Sequence, residues 1–182
     1  MLQMHNTHFT SLNDRSFAIA EASRADVPDI HVLITELAHY ERLADACVST
    51  RAQIDEALFG PRPAAEALIA RQSAPNGPAL GFALFFHTFS TFLGRRGLWL
   101  EDLFVRPAFR GRGLGRALLA RLALIARDRE CGRFEWSVLD WNRPAIGFYE
   151  RLGAVVLPDW RIARVTGPAL QALAEPGEDA DA

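Results

Sequence analysis

The run Arg110-Gly111-Arg112-Gly113-Leu114-Gly115 has the residue types and spacing of an anion seat. Residues 98–105 before it are apolar and read as a buried strand. Residues 117–126 after it repeat leucine and alanine at helical spacing. A strand entering a helix through such a turn leaves the first helical N–H groups free at the positive end of the helix, where a pyrophosphate fits. Glycine at 111, 113 and 115 allows close backbone approach to the anion. Arg110, Arg112 and Arg116 add charge-assisted contacts to phosphate oxygens. A dinucleotide turn of the Rossmann kind needs a third glycine where Arg116 stands, although Glu135 lies about as far downstream as a ribose-binding acid should. A P-loop is excluded, because its lysine must reach the terminal phosphates. The chain has no lysine: all 20 basic residues are arginine. The same absence removes Schiff-base and lysine-nucleophile chemistry.

Other residues that do chemistry elsewhere fall into no pattern here. His31, His39 and His87 are not at metal-ligand spacing with cysteine or acid, so no metal is expected. Ser90 and His87 lack a nucleophile elbow. Cys131, at a helix-to-strand junction, reads as a small packing residue. With two cysteines, no signal-like leader and no membrane-length apolar run, the expected setting is reducing and cytoplasmic, with no membrane partner. A formal net charge of -2, with the arginines spread along the chain, argues against nucleic acid as a partner.

The elements that must position the turn follow from periodicity. At 182 residues the chain is long enough for one well-filled core. Residues 1–15 read as a disordered leader, 16–174 as one domain, and 175–182 as an acidic, loose tail. A strand over 16–21 precedes a helix capped by Asp26, with Ile30, Val32, Leu33, Leu37 and Tyr40 on its apolar face. A second helix over 51–59 stops at Gly60-Pro61. Residues 66–70 and 80–86 form a hairpin across the Asn76-Gly77 turn. Residues 88–97 read as a loop into the strand 98–105. The long helix ends near Arg129, and a strand follows over 134–139. A short helix over 143–152 opens with Pro144. A last strand over 160–165 and a helix over 168–174 complete the chain. The fold class is therefore α/β, with helices flanking a central mixed, twisted sheet that is antiparallel in its N-terminal half and parallel around the long helix.

The spacing Arg110-x-x-Gly113-x-Gly115 resembles the pyrophosphate site of the GNAT acetyltransferases. Glu36-Leu-Ala-His-Tyr-Glu41, Gly81-Phe-Ala-Leu-Phe-Phe86, Leu100-Glu-Asp-Leu-Phe-Val105 and the run from Trp141 to Gly153 stand in the order and spacing of the diamine (spermidine/spermine) and thialysine N-acetyltransferases. The resemblance implies the GNAT fold, acetyl-CoA as donor, a small primary amine as acceptor and a homodimer. It places the pantetheine arm on backbone groups of Leu103, Phe104 and Val105, the pyrophosphate on the turn from Arg110 to Arg116, and Asn142 and Ala145 on the cofactor's other side. It matches Tyr40, Glu41, Glu101, Asp102, Glu135, Trp136 and Ser137 to acceptor-contacting positions. One departure is the short Pro158-Asp159-Trp160-Arg161, where the polyamine enzymes carry additional acid; a shorter diamine or an amino acid such as thialysine suits it. Protein or peptide N-acetylation and a non-catalytic CoA-binding module are the alternatives.

Acetyl transfer from a thioester to an amine sets three tasks. The ammonium, with a pKa of about 10, must lose a proton. The thioester oxygen must be stabilised as it gains charge, and the departing thiolate must be protonated. By the resemblance Tyr149 is the acid, and a phenol can donate to a thiolate while remaining protonated at neutral pH. Glu101 matches the base, drawing the proton off through water. Alternation along a strand would point Glu101 and Asp102 to opposite faces. A bulge in this strand would expose N–H groups to the thioester oxygen.

Overall fold

The computed structural model describes residues 17–74 and 77–175. The expected leader, the tail beyond Glu175 and Asn76 of the expected turn lie outside the described residues. The chain divides into two compact units, one within Met1–Ser137 and one within Val138–Ala182.

The first unit is built on a sheet of β1 (Phe17–Glu21), β2 (Glu66–Gln72), β3 (Ala79–Ser90), β4 (Arg95–Val105) and β5 (Arg133–Trp136), arranged in chain order. The first four pair antiparallel and β4 pairs with β5 in parallel, so the sheet is mixed as expected. A parallel pair needs a crossover, and α3 (Leu114–Asp128) supplies it.

α1 (Val27–Tyr40) buries Val27, Ile30, Leu33 and Leu37 on one face. Ile30, Leu33 and Leu37 pack with Leu58 of α2 (Arg51–Phe59) against Ala67, Ile69, Phe82 and Phe104 of the sheet. Val32, expected inside, is exposed. It stands about 200° around the helix from Ile30, off the buried stripe. Thr50 and Gln53 cap α2 reciprocally, Gln53 N donating to Thr50 Oγ1 and Thr50 N to Gln53 Oε1. On the sheet's other face Leu68, Ala70, Ala83 and Phe85 are buried as well. α3 touches all five strands and buries Leu114, Leu118, Leu119 and Leu122. Double-sided burial makes residues 67–70 a continuous apolar run instead of an alternating one.

Two strand boundaries differ from expectation. Residues 88–97 are not a loop: the β3–β4 ladder continues through Thr88↔Gly97 to Ser90↔Arg95. A tight turn closes it, in which Ser90 Oγ accepts from Leu93 N at 3.2 Å and Gly94 takes φ +60°. Phenylalanine and threonine in the supposed loop favour an extended ladder. β5 stops at Trp136 instead of reaching 139, because its register partner there is Leu100, the last β4 residue before a bulge.

Every ion pair among the described residues uses a guanidinium. Arg71 holds Asp26 and Asp29, each at 2.6 Å, fastening the start of α1 to β2. Arg106, just past β4, grips Glu36 of α1 with Nε and Nη2 and donates Nη1 to Ala79 O at 2.7 Å.

The second unit contains α4 (Arg143–Glu150) and α5 (Gly167–Ala174). Asn142 caps α4, its Oδ1 accepting from Ala145 N at 3.4 Å, with Pro144 in the first turn. The strand expected over 160–165 does not form. Its alternating pattern is real, but a strand needs a ladder partner, and the described residues of this unit hold no other strand.

Candidate active site

The glycine turn is built as an anion seat requires. Gly111 has φ +75° and Gly113 φ +80°, in the left-handed region that costs other residues about 1–2 kcal/mol. Gly113 is the N-cap of α3, so the helix starts at Leu114, three residues earlier than its periodicity suggested. No side chain caps it, and Ala117 N closes the first helical bond, onto Gly113 O at 3.0 Å. The N–H groups of Leu114, Gly115 and Arg116 precede that bond, the arrangement that receives a pyrophosphate. The arginines are partly occupied. Arg110 donates Nε to Val105 O at 2.9 Å and lies 4.3 Å over the Tyr40 ring, so it joins the turn to the end of α1. Arg112 lies 5.6 Å over Phe109.

β4 runs on past its partner. The parallel ladder ends at Leu100↔Trp136, while β4 continues to Val105. Leu103, Phe104 and Val105 therefore pair with β3 on one side and with no described strand on the other. A pantetheine arm can add along such an edge as a short strand would.

The bulge lies at Glu101. Leu84 is opposite Asp102 and Phe85 opposite Leu100, leaving Glu101 as the extra residue. Its effect on side-chain direction corrects the expectation that the two acids face apart. Leu84 and Phe104 belong to the α1-side core, and Asp102 shares their face. Phe85, one residue on, faces α3, and so does its partner Leu100; Trp99 is therefore on the α1 side. Trp99 Nε1 donates to Glu101 Oε2 at 2.9 Å, bringing Glu101 to that side too. Both carboxylates thus face α1. They differ in surroundings: Glu101 is exposed and Asp102 half-buried. Burial, and then the charges of Glu101 and Glu41, push the Asp102 carboxyl up to about 6. Burial also raises Glu41, the C-cap of α1.

Glu135 pairs in register with Trp99, so it stands on the same face, but Arg133 Nε holds its Oε2 at 2.7 Å. Trp136 ends β5, packed edge-on against Phe134 at 5.0 Å, and Ser137 follows as an exposed residue. In the second unit Asn142 is buried, and Ala145 and Tyr149 lie four apart on one face of α4. Tyr149 is half-buried beside Phe148, the ring centroids 5.3 Å apart. The expected site residues therefore fall into two groups, one in each unit. Sequence reasoning missed Trp99, Arg133 and Arg106, whose signal was an aromatic or arginine two to five residues from an acid on the same strand or its continuation. Among the described residues no group of histidine, cysteine and acid could hold a metal.

A mixed sheet bulged in its fourth strand, a parallel partner that stops short of that strand's end and a glycine turn feeding the next helix together define an acetyltransferase architecture. Residues 36–154 match the acetyltransferase (GNAT) family, and the chain belongs to it. It is 35% identical to the thialysine N-epsilon-acetyltransferase of Sus scrofa, over 87% of this chain and 98% of that one. It is 32% identical to the L-ornithine N5-acetyltransferase NATA1 of Arabidopsis thaliana, over 84% of this chain and 85% of that one. Among solved structures, an integron cassette protein from the mobile metagenome of V. cholerae superposes with a TM-score of 0.74 at 25% identity, covering 90% of this chain and all of that one.

Proposed function

We propose that this acetyltransferase moves the acetyl group of acetyl-CoA directly to a primary amine of a small cationic acceptor: a diamine, a polyamine or a thialysine-like amino acid. The observation that carries the reading is the bulge at Glu101, which turns two adjacent carboxylates toward the α1 side of β4, where the charge of Glu41 acts on Asp102. Three acids with Tyr40 and Trp99 nearby suit a cation with an aliphatic body. Residues 16–174 act as one catalytic domain in this reading. The resemblance to the diamine and thialysine enzymes supports a homodimer, and the two unpaired cysteines support a cytoplasmic setting.

When bound, acetyl-CoA supplies the activated acyl group as a thioester. The turn from Arg110 to Arg116 fits its pyrophosphate, and the open edge of Leu103, Phe104 and Val105 fits its pantetheine. By the resemblance, Asn142 and Ala145 also belong to the cofactor-binding residues. Backbone N–H groups at the bulge polarise the carbonyl oxygen. A β4 carboxylate, Glu101 by the resemblance, draws a proton from the acceptor ammonium. Tyr149 Oη delivers a proton to the departing thiolate.

A panel of diamines, polyamines, basic amino acids and neutral amines, scored by release of free CoA thiol, tests this. Cationic aliphatic amines should be turned over and neutral ones disfavoured; equal use of neutral amines would remove the acceptor assignment and leave the acetyltransferase standing. Glu135→Gln should raise KM for the amine only about two- to fivefold with kcat little changed, since its carboxylate is half-exposed and shared with Arg133. A collapse of kcat in that variant would give Glu135 a chemical role.

A further inference from the structure

We propose that the cleft between the start of β4 and the end of α3 is a second anion site, which binds a small phosphorylated compound through its phosphate group. The site is independent of the acetyl-transfer reading above.

Its place follows from the way α3 ends. Glu130, at φ +55°, turns the chain off the helix, with Glu130 N bonded to Arg127 O at 3.0 Å and Cys131 N to Ala126 O at 2.8 Å. The last carbonyls of the helix, which would repel an anion, are partly occupied in this way. Gly132 N then donates to Arg96 O at 2.8 Å, drawing the chain beyond the helix against β4. A Cβ at Gly132 would stand 3.4 Å from that of Arg95. The result is a cleft of about 470 Å³ lined by Arg95, Arg96, Arg129 and Glu130. The glycine turn opens the same 15-residue helix at its other end, about 22 Å away, so a ligand in the cleft leaves the pyrophosphate seat free.

Charge selects the occupant. Both oxygens of Glu66 accept from the Arg129 guanidinium. The side chains of Arg95 and Arg96 have no hydrogen-bond or ion-pair partner among the described residues. His87 of β3 lies beside the cleft, its Nε2 3.5 Å from Arg129 Nη1. Burial and the charge of Arg129 hold its imidazole below the usual histidine value; Glu66 of β2 opposes them, and Arg96 of β4 adds to them. The field here is therefore positive even with the Glu66 carboxylate in place. A phosphate monoester carries close to two negative charges and three acceptor oxygens on one phosphorus, so it can take one fork from Arg95 and another from Arg96. A lone carboxylate, with one charge and two oxygens, would leave a guanidinium unanswered. Glu130 is the one acid in the lining, and its charge limits affinity.

The test follows the His87 ring signals by NMR, assigned by their loss in His87→Gln. Glycerol phosphate, inorganic phosphate, sulfate, acetate or malonate is added without acetyl-CoA, and chloride keeps the ionic strength constant. Sulfate stays doubly charged throughout, so the histidine titration is read cleanly in its presence. Glycerol phosphate, phosphate and sulfate should each raise the His87 pKa saturably, with half-saturation at about 1 mM or below, and acetate should leave it unchanged at about tenfold more. Arg95→Gln and Arg96→Gln should abolish the saturable response. In Arg96→Gln the imidazole should also titrate higher before any anion is added, because a repelling charge has gone. Glu130→Gln should tighten binding about two- to fivefold. Gly113→Glu should keep the whole response, which separates this site from the glycine turn. Thermal melts verify that each variant is folded. A response that never saturates, or that persists in both arginine variants, would overturn the site. Malonate binding more tightly than phosphate would overturn the phosphate assignment, and binding of inorganic phosphate without glycerol phosphate would overturn the phosphorylated compound.

Discussion

Tyr149→Phe should lower kcat by about 10²–10⁴-fold while the fold and acetyl-CoA affinity hardly change. The substitution removes one hydroxyl and keeps the ring beside Phe148. General acid catalysis accounts for about that range of rate, and loss of one partly exposed hydroxyl costs on the order of 1 kcal/mol of stability at most. The effect should fall on kcat and kcat/KM alike, because protonation of the leaving thiolate occurs only on the way to the transition state. Calorimetry with acetyl-CoA and a thermal melt verify that the variant is intact, and steady-state kinetics give the decisive number. Turnover within a fewfold of wild type would make Tyr149 a packing residue on α4.

Gly113→Glu should abolish measurable acetyl-CoA binding. Two effects act together. The backbone at φ +80° disfavours any side chain by about 1–2 kcal/mol, and a carboxylate is placed where the first N–H groups of α3 would receive a pyrophosphate. Gly113→Ala separates them, carrying the strain without the charge. Affinity should fall modestly in the alanine variant and by more than about 100-fold in the glutamate variant, the latter corresponding to roughly 3 kcal/mol. Unchanged affinity in a folded Gly113→Glu protein would move the pyrophosphate elsewhere.

Much of this architecture is legible in the residues because the relevant signals are local. The glycine turn, the capped α2, and the parallel β4–α3–β5 unit each follow from periodicity and from residues with restricted backbones; Asp26, expected to cap α1, instead accepts from Ser23 N and from Arg71. The bulge at Glu101 is different. Residues 98–105 show no sequence mark of an extra residue, yet that residue decides which face Asp102 occupies. Alternation alone predicted the wrong relation between the two acids, since it counts residues while pairing counts hydrogen bonds. The missing strand at 160–165 shows the same limit in reverse: an alternating pattern records which side chains could share a face and not whether a ladder partner exists. Arg110 and Glu135 were legible as charged residues but not as engaged ones. Tyr40, the partner of Arg110, becomes visible only once α1 lies against the glycine turn, whereas Arg133 stands two residues before Glu135 on the same strand and could have been found there.

The guanidinium-only ion pairs have a consequence for an enzyme of this chemistry. The acceptor proposed for it is a primary aliphatic amine, the nucleophile that a lysine side chain would also present. Acetylation of such a lysine erases its charge and any pairing it sustains. Here the links that hold α1 to the sheet, Arg71 to Asp26 and Asp29 and Arg106 to Glu36, rest on groups that stay protonated and resist acylation. No side chain in the 182 residues offers an ε-amine. Self-modification by the bound donor therefore finds no lysine target, and the scaffold's charges are chemically invisible to the reaction it performs.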